Sequence, residues 1–125
     1  MCKHLEESYP NDQVYKHICT LIDNKLGAHF RYTIEYFMLQ ITGSYVNLGF
    51  ALLNNPFLVY RALVDMVKFH DTAMLILEII FRRLLEDTDL QINIDELTLS
   101  IRNNENIAPN ISHKLMRSAF LKHSS

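Results

Sequence analysis

Apolar residues recur along this chain at the three- and four-residue spacing that places them on one side of a helix. The spacing predicts four long helices, over about residues 11–26, 28–42, 56–69 and 72–86. Gly27 and Gly43 follow the first two and suit the left-handed backbone at which many helices end. Asn55 and Pro56 open the third, because asparagine caps helices well and proline is favoured in the first turn.

The fourth helix is apolar around most of its circumference. Between Ala73 and Phe81 its only polar residue is Glu78. Such a helix should be buried by neighbours on several sides, and it is too short to span a bilayer. We therefore predict an all-α bundle of five or six helices around a buried central helix at about 72–86, with Asp71 as its N-cap.

The domain organisation predicted from the pattern is a single core with two flanking segments. Residues 1–10 are polar and expected to be loose, 11–86 form the helical core domain, and 87–125 form a C-terminal extension of one or two helices packed on the core. Within the core, residues 44–54 fit either a short helix or an apolar loop.

The extension contains one ambiguous stretch, residues 90–101, whose apolar spacing fits a helix or two alternating strands. Asn93 and Glu96 stand three residues apart and resemble a capping box, whereas Asp95-Glu96 lacks the glycine or asparagine that a tight hairpin favours. A helix is therefore predicted there. A last helix is predicted over about 111–122, capped by Asn110.

Composition places the chain among ordinary globular domains. It has 125 residues, 49% of them hydrophobic, and a net charge of −2, which gives no global attraction for nucleic acid. Two cysteines are too few for a disulfide framework, and the first residues lack the apolar run of a signal peptide. We expect a reduced, cytoplasmic protein without a membrane partner.

Candidate catalytic and metal-binding residues do not combine into a site. Cys2, His4, His17 and Cys19 could supply four zinc ligands, but His17 and Cys19 point about 200° apart on a helix. The chain lacks the Walker, dinucleotide-binding and zinc-protease motifs. We expect no catalytic residues, no cofactor and no metal.

Two polar features of the core have structural explanations. Glu78 could be a carboxylate with a raised pKa, but Arg82 stands four residues on and is expected to pair with it. His70 and Asp71 could form an acid–base pair, yet capping by Asp71 explains them and no nucleophile lies nearby in sequence. Neither feature predicts an enzyme.

Partners are suggested by a surplus of apolar surface. The second and fourth helices are both apolar around most of their circumference. Together they carry more apolar surface than one small domain buries easily. We therefore predict a homodimer, or a module that binds another protein. The interface candidates are Tyr32, Tyr36, Leu39, Glu78 and Arg82.

Two alternatives remain open from the residues. The helix at 111–122 carries Lys114, Arg117 and Lys122 and no acid, which could contact nucleic-acid phosphates in a transcriptional regulator. The second alternative is a small apolar ligand held by a cluster of aromatic residues. That cluster consists of Phe30, Tyr32, Tyr36, Phe37, Tyr45, Phe57 and Tyr60.

The order of these signals over about residues 17–85 resembles a known family. Leu26-Gly27 ends one helix, Thr42-Gly43 ends an aromatic-rich one, and Asn54-Asn55-Pro56 opens the next before the apolar helix. The pattern resembles the small helical Nitrosopumilus-type output domains of archaeal signalling and regulatory proteins. The resemblance implies a non-catalytic helical module that couples a signal to a partner, and it transfers no functional residue. The turn at Phe69-His70-Asp71 departs from the glycine-containing turn of that family.

Overall fold

The computed structural model describes the backbone of residues 2–86, 88 and 93–105 and the side chains of 13–86, 88 and 93–105. Over these ranges the chain is helical, without strands, and the predicted all-α bundle is confirmed. The helices are α1 (Cys2–Lys25), α2 (Ala28–Thr42), α3 (Leu48–Asn54), α4 (Pro56–Val67), α5 (His70–Leu85) and α6 (Ile94–Arg102). The helix predicted over 111–122, with Lys114, Arg117 and Lys122, lies outside the described residues.

The glycines that follow α1 and α2 have the positive φ angles that the sequence predicts. Gly27 has φ of 101° and Gly43 has φ of 80°, a region that disfavours residues with a Cβ. The Gly27 N–H donates to the carbonyl of Ile22 at 3.1 Å, which lets α2 begin at Ala28. The predicted bounds of α2 are therefore confirmed.

Asparagine caps settle both ambiguous stretches in favour of helices. The Asn47 side chain accepts the Phe50 N–H at 2.7 Å at the start of α3. The Asn93 side chain accepts the Glu96 N–H at 3.1 Å at the start of α6. These bonds satisfy backbone donors that a helix start leaves without partners, and the hairpin alternative for the stretch at 94–102 is excluded.

The starts of α1 and α5 and the cap of α4 differ from expectation. Helix α1 begins at Cys2, upstream of the start expected near residue 11. Pro10 therefore lies inside the helix, although an interior proline removes one backbone hydrogen bond. Asn55 precedes α4 but its side chain makes no capping bond. Helix α5 begins at His70, so the predicted cap at Asp71 is wrong. Asp71 lies in the first turn, where its negative charge interacts favourably with the positive end of the helix dipole.

The bundle is arranged around α4 rather than α5. Helix α4 packs on α2, α3, α5 and α6, whereas α5 packs on α1, α4 and α6. Leu77, Ile80 and Phe81 of α5 are fully buried, but Leu75 is 56% exposed and Ile79 is 40% exposed. The expectation that α5 is buried all round is therefore corrected, because its packing partners cover one side of it.

One contiguous core joins these helices. Among its fully buried members are Ile18 and Ile22 of α1, Ile34 and Met38 of α2, Leu52 of α3, Leu63 of α4, Phe81 of α5 and Ile101 of α6. None of the helices within the described part of the chain is long and apolar enough to cross a membrane.

Candidate functional site

The two charged residues of α2, Arg31 and Glu35, are both turned into the bundle. Arg31 donates to both carboxylate oxygens of Asp23, from Nε at 2.7 Å and from Nη2 at 3.1 Å. Its Nη1 donates to Glu35 Oε2 at 2.9 Å. The hydrogen bonds that Arg31 donates to Asp23 are the main reason that the pKa of Arg31 is raised above its ordinary value, against the opposing effect of burial. This fork fixes α2 on the end of α1.

Glu35 is 3% exposed, and both of its carboxylate oxygens accept hydrogen bonds. Besides Arg31, it accepts the Leu48 N–H at 2.8 Å and the Tyr45 hydroxyl at 3.1 Å. Burial and the nearby Glu35 charge raise the pKa of Tyr45. A buried carboxylate held by three donors positions α3 and the loop that precedes it.

Because Arg31 and Glu35 point inward, the outward side of α2 carries no Asp, Glu, Lys or Arg. We call this surface the α2 face, and its exposed side chains are His29, Tyr32, Thr33, Tyr36 and Gln40. Tyr32 is 57% exposed and Tyr36 is 56% exposed, one helical turn apart. Leu39 is half-buried at its edge.

Both tyrosine rings of the α2 face are supported from the side. The Arg31 guanidinium carbon lies 4.6 Å from the centroid of the Tyr32 ring, a cation–π contact. The Tyr36 ring meets Phe37 edge-to-face, with centroids 5.5 Å apart. These contacts restrict the rings before any partner binds, which lowers the entropic cost of association.

The other two interface candidates lie on a different surface. Arg82 of α5 donates to Asp95 of α6 at 3.2 Å. Burial, followed by the hydrogen bond and charge of Asp95, raises the pKa of Glu78, while Arg82 lowers it. Glu78 and Arg82 thus belong to the α5–α6 contact. Among the described residues Arg82 forms its ion pair with Asp95 instead of the expected Glu78, and only its charge acts on Glu78.

His70 has a partner that local sequence did not indicate. The Tyr60 hydroxyl lies 2.6 Å from His70 Nδ1, and the two residues come from different helices. Sequence reasoning paired His70 with its neighbour Asp71 because only that contact was visible from spacing. The Tyr60–His70 contact depends on the turn at Lys68, whose φ of 70° ends α4.

Of the four zinc candidates, Cys2 and His4 have side chains that lie outside the described residues. Cys19 is half-buried, and burial raises the pKa of its thiol, while His17 is exposed. Among the described residues no group of three or more His, Cys, Asp or Glu side chains could hold a metal ion. Of the aromatic cluster, Phe57 and Tyr60 line a cleft at α4, whereas Tyr32 and Tyr36 lie on the α2 face.

No family model, curated protein or solved structure matches this chain. The resemblance to Nitrosopumilus-type output domains therefore stays a prediction.

Proposed function

We propose that this protein is a non-catalytic regulatory interaction module that works as a homodimer through the α2 face. The observation that carries the proposal is a charge-free helix surface with two half-exposed, laterally supported tyrosines. Solvent-facing sides of helices are normally charged or strongly polar. Tyrosine is enriched in protein interfaces and charged residues are depleted from their centres.

A second copy of the chain is the partner that this surface fits. In a two-fold dimer the same patch meets itself, so a charged residue near the axis lies close to its own copy. Like charges brought together across an interface are unfavourable. The α2 face avoids that cost because Arg31 and Glu35 pair with each other inside the bundle.

The exposed apolar side of α5 fits self-association less well. Leu75 and Ile79 are exposed there. However, the C-terminal end of the same helix exposes three charged residues, Arg82, Arg83 and Glu86. The proposal therefore narrows the predicted interface to Tyr32, Tyr36 and Leu39 and leaves Glu78 and Arg82 outside it.

The test is the solution mass of the full chain, measured by light scattering after size exclusion at low micromolar concentration. We expect a dimer, and we expect Tyr36→Asp to be a folded monomer because it places two carboxylates near the axis. Leu75→Asp is the matched control, since Leu75 is also 56% exposed. Circular dichroism of both variants confirms that they are helical.

Two results would overturn the proposal. One is a monomeric wild-type chain. The other is a Tyr36→Asp variant that remains dimeric, and a simultaneous loss of the dimer in Leu75→Asp would then assign the interface to α5. The regulatory role rests on the resemblance to output domains, and the alternative of nucleic-acid binding by residues 111–122 stays a prediction.

A further inference from the structure

A cleft of about 530 Å³ lies on another part of the bundle, between α4, the start of α5 and the end of α6. This volume falls within the range of small-molecule sites. Helix α4 supplies most of its lining, His70 stands at the start of α5, and Arg102 and Asn103 close it at the end of α6. The described residues of the lining are Phe57, Tyr60, Arg61, Val64, Asp65, His70, Arg102 and Asn103.

Three rings form one wall of the cleft. The Phe57 and Tyr60 centroids are 6.3 Å apart with planes inclined by 34°, and the Tyr60 and His70 centroids are 5.9 Å apart with planes inclined by 35°. The Tyr60–His70 hydrogen bond holds two of these rings in place, and Tyr60 is 4% exposed. A fixed row of rings favours an aromatic or flat apolar group as its neighbour.

The arginines distinguish this cleft from the rest of the surface. Of the five arginines in the described part of the chain, Arg31, Arg82 and Arg83 each pair with a carboxylate. The other two, Arg61 and Arg102, have no ion pair with another described residue, and both line the cleft. They come from α4 and α6, so the fold rather than local sequence brings them to one cavity.

Charge in the cleft favours an anion. Among the described lining residues, Arg61 and Arg102 carry two positive charges and Asp65 carries one negative charge. The amide of Asn103 adds hydrogen-bonding capacity beside Arg102. Guanidinium groups bind carboxylates and phosphates through paired N–H donors, and they also stack on aromatic rings.

We propose that the α4–α6 cleft binds a small aromatic anion, with its ring against Phe57, Tyr60 and His70 and its carboxylate or phosphate on Arg61 and Arg102. The site is separate from the α2 face, since none of its lining residues belongs to α2. Binding in the cleft and dimer formation can therefore be tested independently.

The experiment is a titration of the ¹⁵N-labelled full chain followed by two-dimensional NMR, with four probes of matched size. Benzoate and phenyl phosphate distinguish the two anionic groups, benzamide tests the ring without charge, and inorganic phosphate tests the charge without a ring. We expect one or both aromatic anions to bind at or below about 10 mM and to shift amides of α4, His70 and Arg102. Benzamide and inorganic phosphate should bind at least about tenfold more weakly.

The variant that tests the arginines is the double substitution Arg61→Gln and Arg102→Gln. Both side chains belong to exposed residues, so the fold should persist, and the affinity for the aromatic anion should fall by at least about tenfold. Arg83→Gln is the matched control, because Arg83 is exposed, lies outside the cleft and should leave the affinity unchanged.

Three outcomes would overturn the proposal: no aromatic anion binds, benzamide binds as well as the anions, or the double variant keeps the wild-type affinity. Tyr36→Asp should bind the same probe normally. Loss of the dimer with retained binding would then separate the two proposals.

Discussion

The carboxylate of Glu35 accepts the backbone N–H of Leu48 at 2.8 Å, although the two residues are thirteen positions apart in the chain. The bond joins the middle of α2 to the first residue of α3. Through Arg31 the same carboxylate is also linked to Asp23 near the end of α1. One buried side chain thus links three helices, and the two charged side chains of α2 pair with each other.

Glu35→Ala should lower the free energy of unfolding by about 3–5 kcal/mol, the usual effect of removing one partner of a buried ion pair. The substitution leaves Arg31 without one carboxylate and the Leu48 N–H without its acceptor. Glu35→Gln should cost less, because its amide oxygen can still accept from Leu48. Urea unfolding followed by circular dichroism measures both changes.

The control for Glu35 is Glu86→Gln. Glu86 is exposed and pairs with Lys25 at 2.7 Å and Arg83 at 3.1 Å, so its removal should change stability by less than about 1 kcal/mol. Equal, small losses in Glu35→Ala and Glu86→Gln would show that the buried network does not hold the three helices together.

Gly49→Ala should destabilise the contact between α1 and α3. Gly49 is buried, and a Cβ at this position would overlap the backbone carbonyl of Tyr15, which cannot rotate away as a side chain could. Overpacking of this kind typically costs about 1–3 kcal/mol. The expected result is a lower urea midpoint with an unchanged denaturant slope.

A second glycine separates this steric effect from backbone strain. Gly43 has open space around its missing Cβ but a φ of 80°, which asparagine tolerates better than alanine. Gly43→Asn should therefore remain closer in stability to the wild type than Gly49→Ala. The reverse order would contradict the close approach of α3 to α1.

Glu78 should make stability depend on pH in a defined direction. Burial and the neighbouring Asp95 raise its pKa in the folded chain above the ordinary value of 4.5, against the opposing effects of Arg82 and Thr98. Between the unfolded and folded pKa values, the folded chain holds more protons, so the free energy of unfolding falls as pH rises through that window. Because the site is partly exposed, the change should be less than about 1 kcal/mol.

The check is a set of urea unfolding curves from pH 4 upward, about the range in which carboxylates titrate. Glu78→Gln should remove this contribution, so its stability relative to the wild type should increase with pH across the window. Asp95→Asn should lower the pKa of Glu78 in a carbon-detected NMR titration. A Glu78 pKa below 4.5 in the wild type would refute the assignment.

The positions of the helices followed from local residues. The bounds of α2 could be predicted because Gly27 and Gly43 act within one turn of their own positions. The start of α6 was likewise indicated by Asn93 and Glu96, whose contact lies within three residues. The start of α5 could not be predicted from Asp71, because that residue is favourable both as a cap and in the first turn.

The sites depended on contacts that the order of residues does not specify. Arg61 and Arg102 meet in one cleft although they stand on α4 and α6, and Tyr60 reaches His70 across a turn. Neither arrangement leaves a spacing pattern, because each requires a particular packing of whole helices.

The sequence by itself determined that the chain is an all-α bundle and roughly where its long helices lie. Propensity, caps and glycine turns act over three or four residues, so the signals lie beside the elements they control. Only the tertiary structure decided that Arg31 and Glu35 turn inward, that Tyr32 and Tyr36 stay exposed and that α5 is covered on one side. Whether a side chain is buried depends on which helices pack against it, and the residues that cover it are distant in the sequence.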